Sequence, residues 1–259
     1  MSILDNLIHH FKLDETGALD NRNDAVGSAQ LVPNGVGITG VAGKVGNAPD
    51  FPGNSFIVMS SATVADFTTE DFTIAFWVLM DAIPPTQSVP LSKWFSTGRQ
   101  YQFDYLASSS RFRFLTRNAA DNANYVVSAD NFGAPSTATW YFIVLQRDTG
   151  ANEISIRVNN GTRDTLSADD LPSQTTKFAI GKRDGDPTTL SADAHKGHID
   201  EISIWDRLTT DDEETTIYNA GAGLAYPWGA VASPASGTDG SLRAGGESKL
   251  YLPPTLVLP

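Results

Sequence analysis

Along residues 72–79, Phe72, Ile74, Phe76 and Val78 alternate with Thr73, Ala75, Trp77 and Leu79, a two-residue period in which both series are largely apolar. This predicts a strand buried on both faces. Shorter runs at residues 101–105, 111–115, 125–127, 140–145, 154–158, 178–180 and 199–205 repeat the pattern, with turn residues between nearly all of them. Asn160-Gly161, just after the run at 154–158, predicts a tight hairpin, because such a turn needs positive φ, which Asn and Gly tolerate. One helix is predicted, at residues 211–219, with Thr210 as its cap, Glu213 completing a capping box and Gly221 suited to the exit. Many short strands, without alternating long helices, predict an all-β sandwich or barrel rather than a parallel α/β fold.

After Gly223 the pattern stops. Tyr226-Pro227-Trp228-Gly229 leads into an Ala/Ser/Gly stretch, and the chain closes on Lys249-Leu250-Tyr251-Leu252-Pro253-Pro254-Thr255-Leu256-Val257-Leu258-Pro259. The prolines favour an extended path. Residues 1–222 are therefore read as the folded domain and 223–259 as an extended Pro/Gly-rich arm. The arm's Tyr251, Leu252, Leu256 and Val257 require a surface to dock on, from the parent domain or a neighbouring subunit.

Composition narrows the functions. A chain of 259 residues is long enough for one large sandwich with a full core. A formal net charge of −12, with no dense Lys/Arg cluster to offset it, argues against nucleic acid as a partner. Cysteine is absent, which excludes disulfides, thiolate metal sites and a cysteine nucleophile. Met1-Ser2-Ile3-Leu4-Asp5 lacks a basic region followed by an apolar run, and no stretch approaches membrane-spanning length. The expectation is cytoplasmic synthesis without a signal peptide or membrane insertion, with the protein reaching a virion or the extracellular space after release.

Five segments, in order, carry a family resemblance. They are His10-Phe11-Lys12-Leu13-Asp14-Glu15; Gly43-Lys44-Val45-Gly46-Asn47-Ala48 with Phe51-Pro52-Gly53; Asp71-Phe72-Thr73-Ile74-Ala75-Phe76-Trp77-Val78; Trp140-Tyr141-Phe142 leading to Ile156-Arg157-Val158-Asn159-Asn160-Gly161; and Gly197-His198-Ile199-Asp200-Glu201-Ile202-Ser203-Ile204-Trp205-Asp206-Arg207-Leu208. Over roughly residues 7–222 the chain resembles the laminin-G-like jelly rolls of the concanavalin A-like superfamily. The resemblance implies two stacked antiparallel sheets, with the domain's two ends pairing near each other. It also implies a module that binds glycans or proteins, often carries a calcium ion, and is sometimes appended to glycosidases or displayed on viral and bacterial surfaces.

Catalytic signatures are missing. The closely spaced Glu-x-Asp-x-x-Glu of related glucanases does not occur, and Asp200-Glu201, being adjacent, are expected on opposite faces of a strand. No sialidase Asp box, Gly-x-Ser-x-Gly or phosphate loop is present, so a non-catalytic module is expected. His195-x-x-His198 is read as two solvated histidines, and the neighbours His9 and His10 as facing opposite ways. The loops at 183–187 and 20–24 are read as ordinary Asp/Asn turns. Asp200 is expected to share a face with Ile202 and Ile204, so either a cation or hydrogen bonds from backbone N–H groups or Arg207 must satisfy it. The resemblance implies a structural calcium there, with Asp14 as the partner ligand.

For sugars, physics asks for an aromatic face together with fixed polar groups. Trp94, Tyr101 and Tyr105, interleaved with Arg99, Gln102 and Asp104, are the candidates, against the alternative that the aromatics fill the core. Two functions are expected. One is a lectin-like module recognising surface carbohydrate, displayed on a particle such as a phage virion. The other is a structural or assembly protein, such as a capsid decoration or tail-associated component, whose arm docks on a neighbouring subunit in an oligomer.

Overall fold

The computed structural model describes residues 2–35, 37–95, 98–183 and 193–228. Its strands are β1 (Leu7–Phe11), β2 (Arg22–Asn23), β3 (Gln30–Asn34), β4 (Thr39–Ala42), β5 (Asn47–Pro52), β6 (Phe56–Met59), β7 (Phe72–Met80) and β8 (Gln87–Phe95), followed by β9 (Gly98–Leu106), β10 (Arg111–Arg117), β11 (Asn124–Ser128), β12 (Trp140–Asp148), β13 (Glu153–Val158), β14 (Asp164–Ser167), β15 (Ala179–Ile180) and β16 (Lys196–Trp205). The helix α1 (Asp211–Tyr218) follows.

The strands form two sheets. The first runs β14-β13-β12-β7-β16-β5-β4, with β1 also paired to β16, and the second runs β11-β10-β9-β8-β15-β6-β3-β2. Every pairing between these strands is antiparallel. On β1, His10 stands opposite Ser203 and Phe11 opposite Ile202, so the start of the domain lies beside its last strand, as the resemblance implies.

β7 shows why the sheets stack. Its Phe72, Ile74, Phe76 and Val78 enter a core shared with Phe103, Phe112 and Phe114 of the second sheet. Its Ala75 and Trp77 face the other way, into a smaller cluster with Ile3, Leu7, Phe142, Trp205, Ile217 and Trp228. The strand is thus buried on both faces, at about 1.5–3 kcal/mol for each large apolar side chain. The outer cover comes from the N-terminal residues, α1 and residues 224–228. Trp228, read from sequence as part of the arm, is 3% exposed and stacks on Trp205 at 5.8 Å. The arm residues Tyr251, Leu252, Leu256 and Val257 lie outside the described residues.

The β13-β14 hairpin forms as predicted, one residue early: Asn159 and Asn160 take the positive φ values, and Gly161 N–H closes the turn on the Val158 carbonyl. α1 has its capping box, with Glu213 N–H donating to Thr210 Oγ1 and Thr210 N–H donating to the Glu213 carboxylate. It ends at Asn219 in the left-handed region, two residues before the expected Gly221. Thr210→Ala is expected to lower stability by about 1 kcal/mol in urea denaturation, since the Glu213 N–H loses its side-chain acceptor.

Candidate functional site

Among the described residues, three polar clusters bear on function. The first surrounds the last strand. β16 shifts register against β7 between Asp200 and Ser203, and Glu201 sits at φ 52°, a left-handed conformation that costs a non-glycine residue roughly 1–2 kcal/mol. This bulge breaks the expected alternation. Ile199, Ile202 and Ile204 all enter the inter-sheet core, whereas Asp200 pairs with outward-facing Trp77. Asp200 therefore does not share a face with Ile202 and Ile204, and both acidic side chains reach the outer side of the sheet.

There Asp200 Oδ2 accepts the N–H groups of Lys44 and Val45 at 2.8 and 2.9 Å, and its Oδ1 accepts that of Glu201. Asp14 Oδ1 accepts the Asn47 N–H at 2.7 Å. The two carboxylates clamp one loop from two sides. This explains the Gly43-x-x-Gly46 motif: a Cβ on Gly43 would lie 2.6 Å from Asp200 Oδ2, and one on Gly46, at φ 66°, would collide with Asp14 Oδ1. A calcium ion wants six to eight oxygens. Here three of the four carboxylate oxygens already face amide donors, so the set fits a loop clamp and does not fit a calcium cradle. Arg207 is occupied elsewhere, on Glu213 and the carbonyls of Ser2 and Asp5.

Next to the clamp, His10 Nδ1 lies 2.9 Å from Ser203 Oγ and its Nε2 lies 3.0 Å from Glu201 Oε2. Burial, helped by the Lys12 charge, pushes the imidazole down to about 3. Burial, helped by the Asp14 charge, pushes the Glu201 carboxyl up to about 8. Both shifts favour the neutral forms of imidazole and acid, whose facing Nε2 and Oε2 atoms have no other hydrogen-bond partner. The order Ser203, His10, Glu201 is that of a nucleophile, a base and an orienting acid. It has no access, however: Tyr226 and Trp228 roof the imidazole at 4.4 and 5.1 Å, and the adjoining cavity of about 10 Å3 holds about one water. His9 faces away from His10, onto Asp24 at 2.6 Å.

The second cluster covers the outer face of the second sheet. On β9, Tyr101, Phe103 and Tyr105 point inward while Gln102 and Asp104 point outward. Tyr101 is 0% exposed, with its hydroxyl donating to the Ala65 carbonyl. Tyr105 and Trp94 are buried too, which removes all three as stacking platforms. The reason is the strand's own alternation. Arg99 is half-buried opposite Trp94 at the turn. Asp104, by contrast, is the hub of the outer face. It takes a two-pronged hydrogen bond from Arg113 Nε and Nη2 at 2.8 and 2.9 Å, and it accepts from Gln102 and Gln87. Arg183 extends the array by donating to Gln102 and Gln87, with Asp193 at 3.4 Å. Leu115 and Val126 stand opposite each other in the next row of the same face.

The third cluster sits at one end of the first sheet, where His198 lies between Asp50 and Asp81 beside Trp140. His195 does not join it. Contrary to the expectation of a solvated pair, His195 is fully buried with Nδ1 3.0 Å from Ser88 Oγ, and His198 is half-buried. Sequence reading missed the Asp50/Asp81/His198 group, which assembles from strands far apart in the chain, and the Arg113/Arg183 array, whose neighbouring strands β8, β9 and β10 meet only through their register and are joined by the distant Arg183.

Comparison with known proteins agrees with the architecture. Domain 4 of an extracellular arabinanase from Geobacillus stearothermophilus, solved with arabinotriose, superimposes with a TM-score of 0.59 at 16% identity, over 85% of this chain and 98% of that one. The binding domain of Paraclostridial Mosquitocidal Protein 1 gives 0.65 at 13% identity, over 85% of this chain and 53% of that one. A Trypanosoma rangeli sialidase gives 0.60 at 14% identity, over 85% of this chain and 34% of that one. The chain thus spans about half of the toxin domain and a third of the sialidase, and at these identities the likeness is one of fold. No curated protein matches the chain in sequence. The laminin-G-like sequence profile described as the concanavalin A-like lectin/glucanases superfamily matches residues 53–213, well over half the chain, and the chain belongs to that superfamily.

Proposed function

We propose that this protein is a non-catalytic carbohydrate-binding module, and that its sugar-binding face is the outer side of the second sheet around Arg113, Gln87 and Arg183. The observation that carries the reading is the pinning of these side chains. Arg113 is held in a fixed fork by a fully buried carboxylate, and Arg183 is held by two glutamines, so donors are already oriented and little rotamer entropy is lost on meeting hydroxyl groups. The arabinotriose named for the arabinanase domain supports a sugar as the ligand class. The inaccessibility of the Ser203, His10 and Glu201 row supports binding rather than turnover. The assembly reading rests on residues 229–259, which lie outside the described residues.

A glycan array followed by calorimetric titration tests the proposal. At least one oligosaccharide is expected to bind. Arg113→Lys keeps a charge beside Asp104 but loses the fork, and is expected to weaken binding about 10-fold, the size of one charged hydrogen bond. Trp140→Ala, on the other sheet, is expected to leave affinity unchanged. No binding to any glycan, or binding indifferent to Arg113→Lys, would refute the assignment.

A further inference from the structure

We propose that Asp50, Asp81 and His198 form a binding site for a first-row divalent cation, with zinc the best match. The three residues come from adjacent elements of the first sheet. His198 on β16 stands in register with Asp50 on β5 and with Leu79 on β7, and Asp81 follows β7, where its N–H donates to the Lys196 carbonyl at 3.1 Å. The imidazole lies between the two carboxylates, with Nδ1 3.6 Å from Asp50 Oδ1 and Nε2 3.6 Å from Asp81 Oδ1. Both distances are too long for a good hydrogen bond. Taken singly, each approximates the spacing of about 3.4 Å between two ligands of one tetrahedral ion whose bonds are about 2.1 Å; an ion takes only one of the two ring nitrogens, so the carboxylate on the far side must turn toward the nitrogen that is used. One donor atom from each of the three residues lies within 4.8 Å of the others, close enough for the three to converge on a single ion.

A second observation concerns the ring itself. His198 Nδ1 is a buried nitrogen with no hydrogen-bond partner, a costly arrangement that an ion would relieve directly or by drawing the carboxylates in. Trp140, opposite Leu79 on β12, packs against the imidazole at 6.0 Å and restrains its orientation. The donor set of one imidazole nitrogen and two carboxylate oxygens selects the metal. It offers too few oxygens for calcium and no sulfur for soft ions, whereas zinc is satisfied by three such ligands plus water. Asp81 is exposed, so the water position and the entry path lie on its side.

Chelator-treated full-length protein titrated with zinc chloride tests this, read by calorimetry and by NMR of the imidazole nitrogens. The expected result is one saturable equivalent per chain, with a shift of the His198 ring nitrogens and no saturable binding of calcium chloride. His198→Ala is expected to abolish binding, and Asp81→Asn, a change at an exposed side chain that leaves the core intact, to weaken it at least 10-fold. The proposal is overturned if no saturable zinc binding occurs. It is equally overturned if binding survives both substitutions, or if the His198 nitrogens stay in place while zinc binds; the imidazole would then be only an ion-pair partner of the two carboxylates.

Discussion

Trp228→Ala is expected to lower the unfolding free energy by about 3–5 kcal/mol, the usual cost of emptying a tryptophan site. For a domain of this size that corresponds to a fall in melting temperature of about 10 °C. The indole is almost wholly buried, stacks on Trp205, meets His10 edge-on and donates its N–H to the Leu224 carbonyl at 3.0 Å. Removing it opens the small outer core that Ile3, Leu7 and Ile217 also fill. Water then reaches His10 and Glu201, whose neutral forms depend on that roof. Urea denaturation of the variant beside wild type measures the effect. A loss under about 1 kcal/mol would show that residues 224–228 merely touch the domain. Leu115→Ala, on the outer face of the other sheet, is the comparison and is expected to cost less, because that side chain lies outside the inter-sheet core.

Much of the fold was legible because alternation reports burial directly. β7, β12 and β16 carry long apolar series, and their pairing puts those series on the two faces that need covering. β8 was not legible: Pro90 interrupts a polar-rich run, and the proline is accommodated only because the strand shifts register between Ser88 and Leu91. The same limitation misplaced Asp200. A bulge one residue long reverses the face of everything beyond it, and nothing local in Asp200-Glu201-Ile202 announces one. Applied strictly, alternation on β9 turns Tyr101 and Tyr105 inward with Phe103 and leaves Asp104 outside. The Asp50, Asp81 and His198 group leaves no motif because its members meet only after distant strands pair, and the Arg113 and Arg183 array leaves none because it depends on the exact register of β8, β9 and β10 and on Arg183 arriving from far along the chain.

Stability is expected to fall as pH rises from about 6.5 to 8.5, and Glu201→Gln is expected to make that fall about half as steep. Burial raises both Asp200 and Glu201 to about 8 in the folded protein, from ordinary values of 3.8 and 4.5. Over the interval between, the folded chain holds protons that the unfolded chain has released. The stabilising contribution is complete below the unfolded values and disappears as pH climbs through the folded ones, at up to about 1.4 kcal/mol per pH unit for each group. For Asp200 the N–H groups of Lys44 and Val45 pull against burial, yet its carboxyl still rises to the same value of about 8, so the two groups contribute about equally to the slope. His10 acts in the opposite direction. Its folded value of about 3 lies below the ordinary 6.5, so its contribution is intact above pH 6.5 and is lost on acidification. It therefore does not contribute to the alkaline slope. A glutamine at position 201 keeps the polar shape but has no proton to lose. The variant should be more stable than wild type at pH 9 and no better at pH 5, measured by urea denaturation across the range. A wild-type profile flat between pH 6.5 and 8.5, or an equal slope in the variant, would mean that Glu201 is ionised throughout and held by His10 as a charged pair.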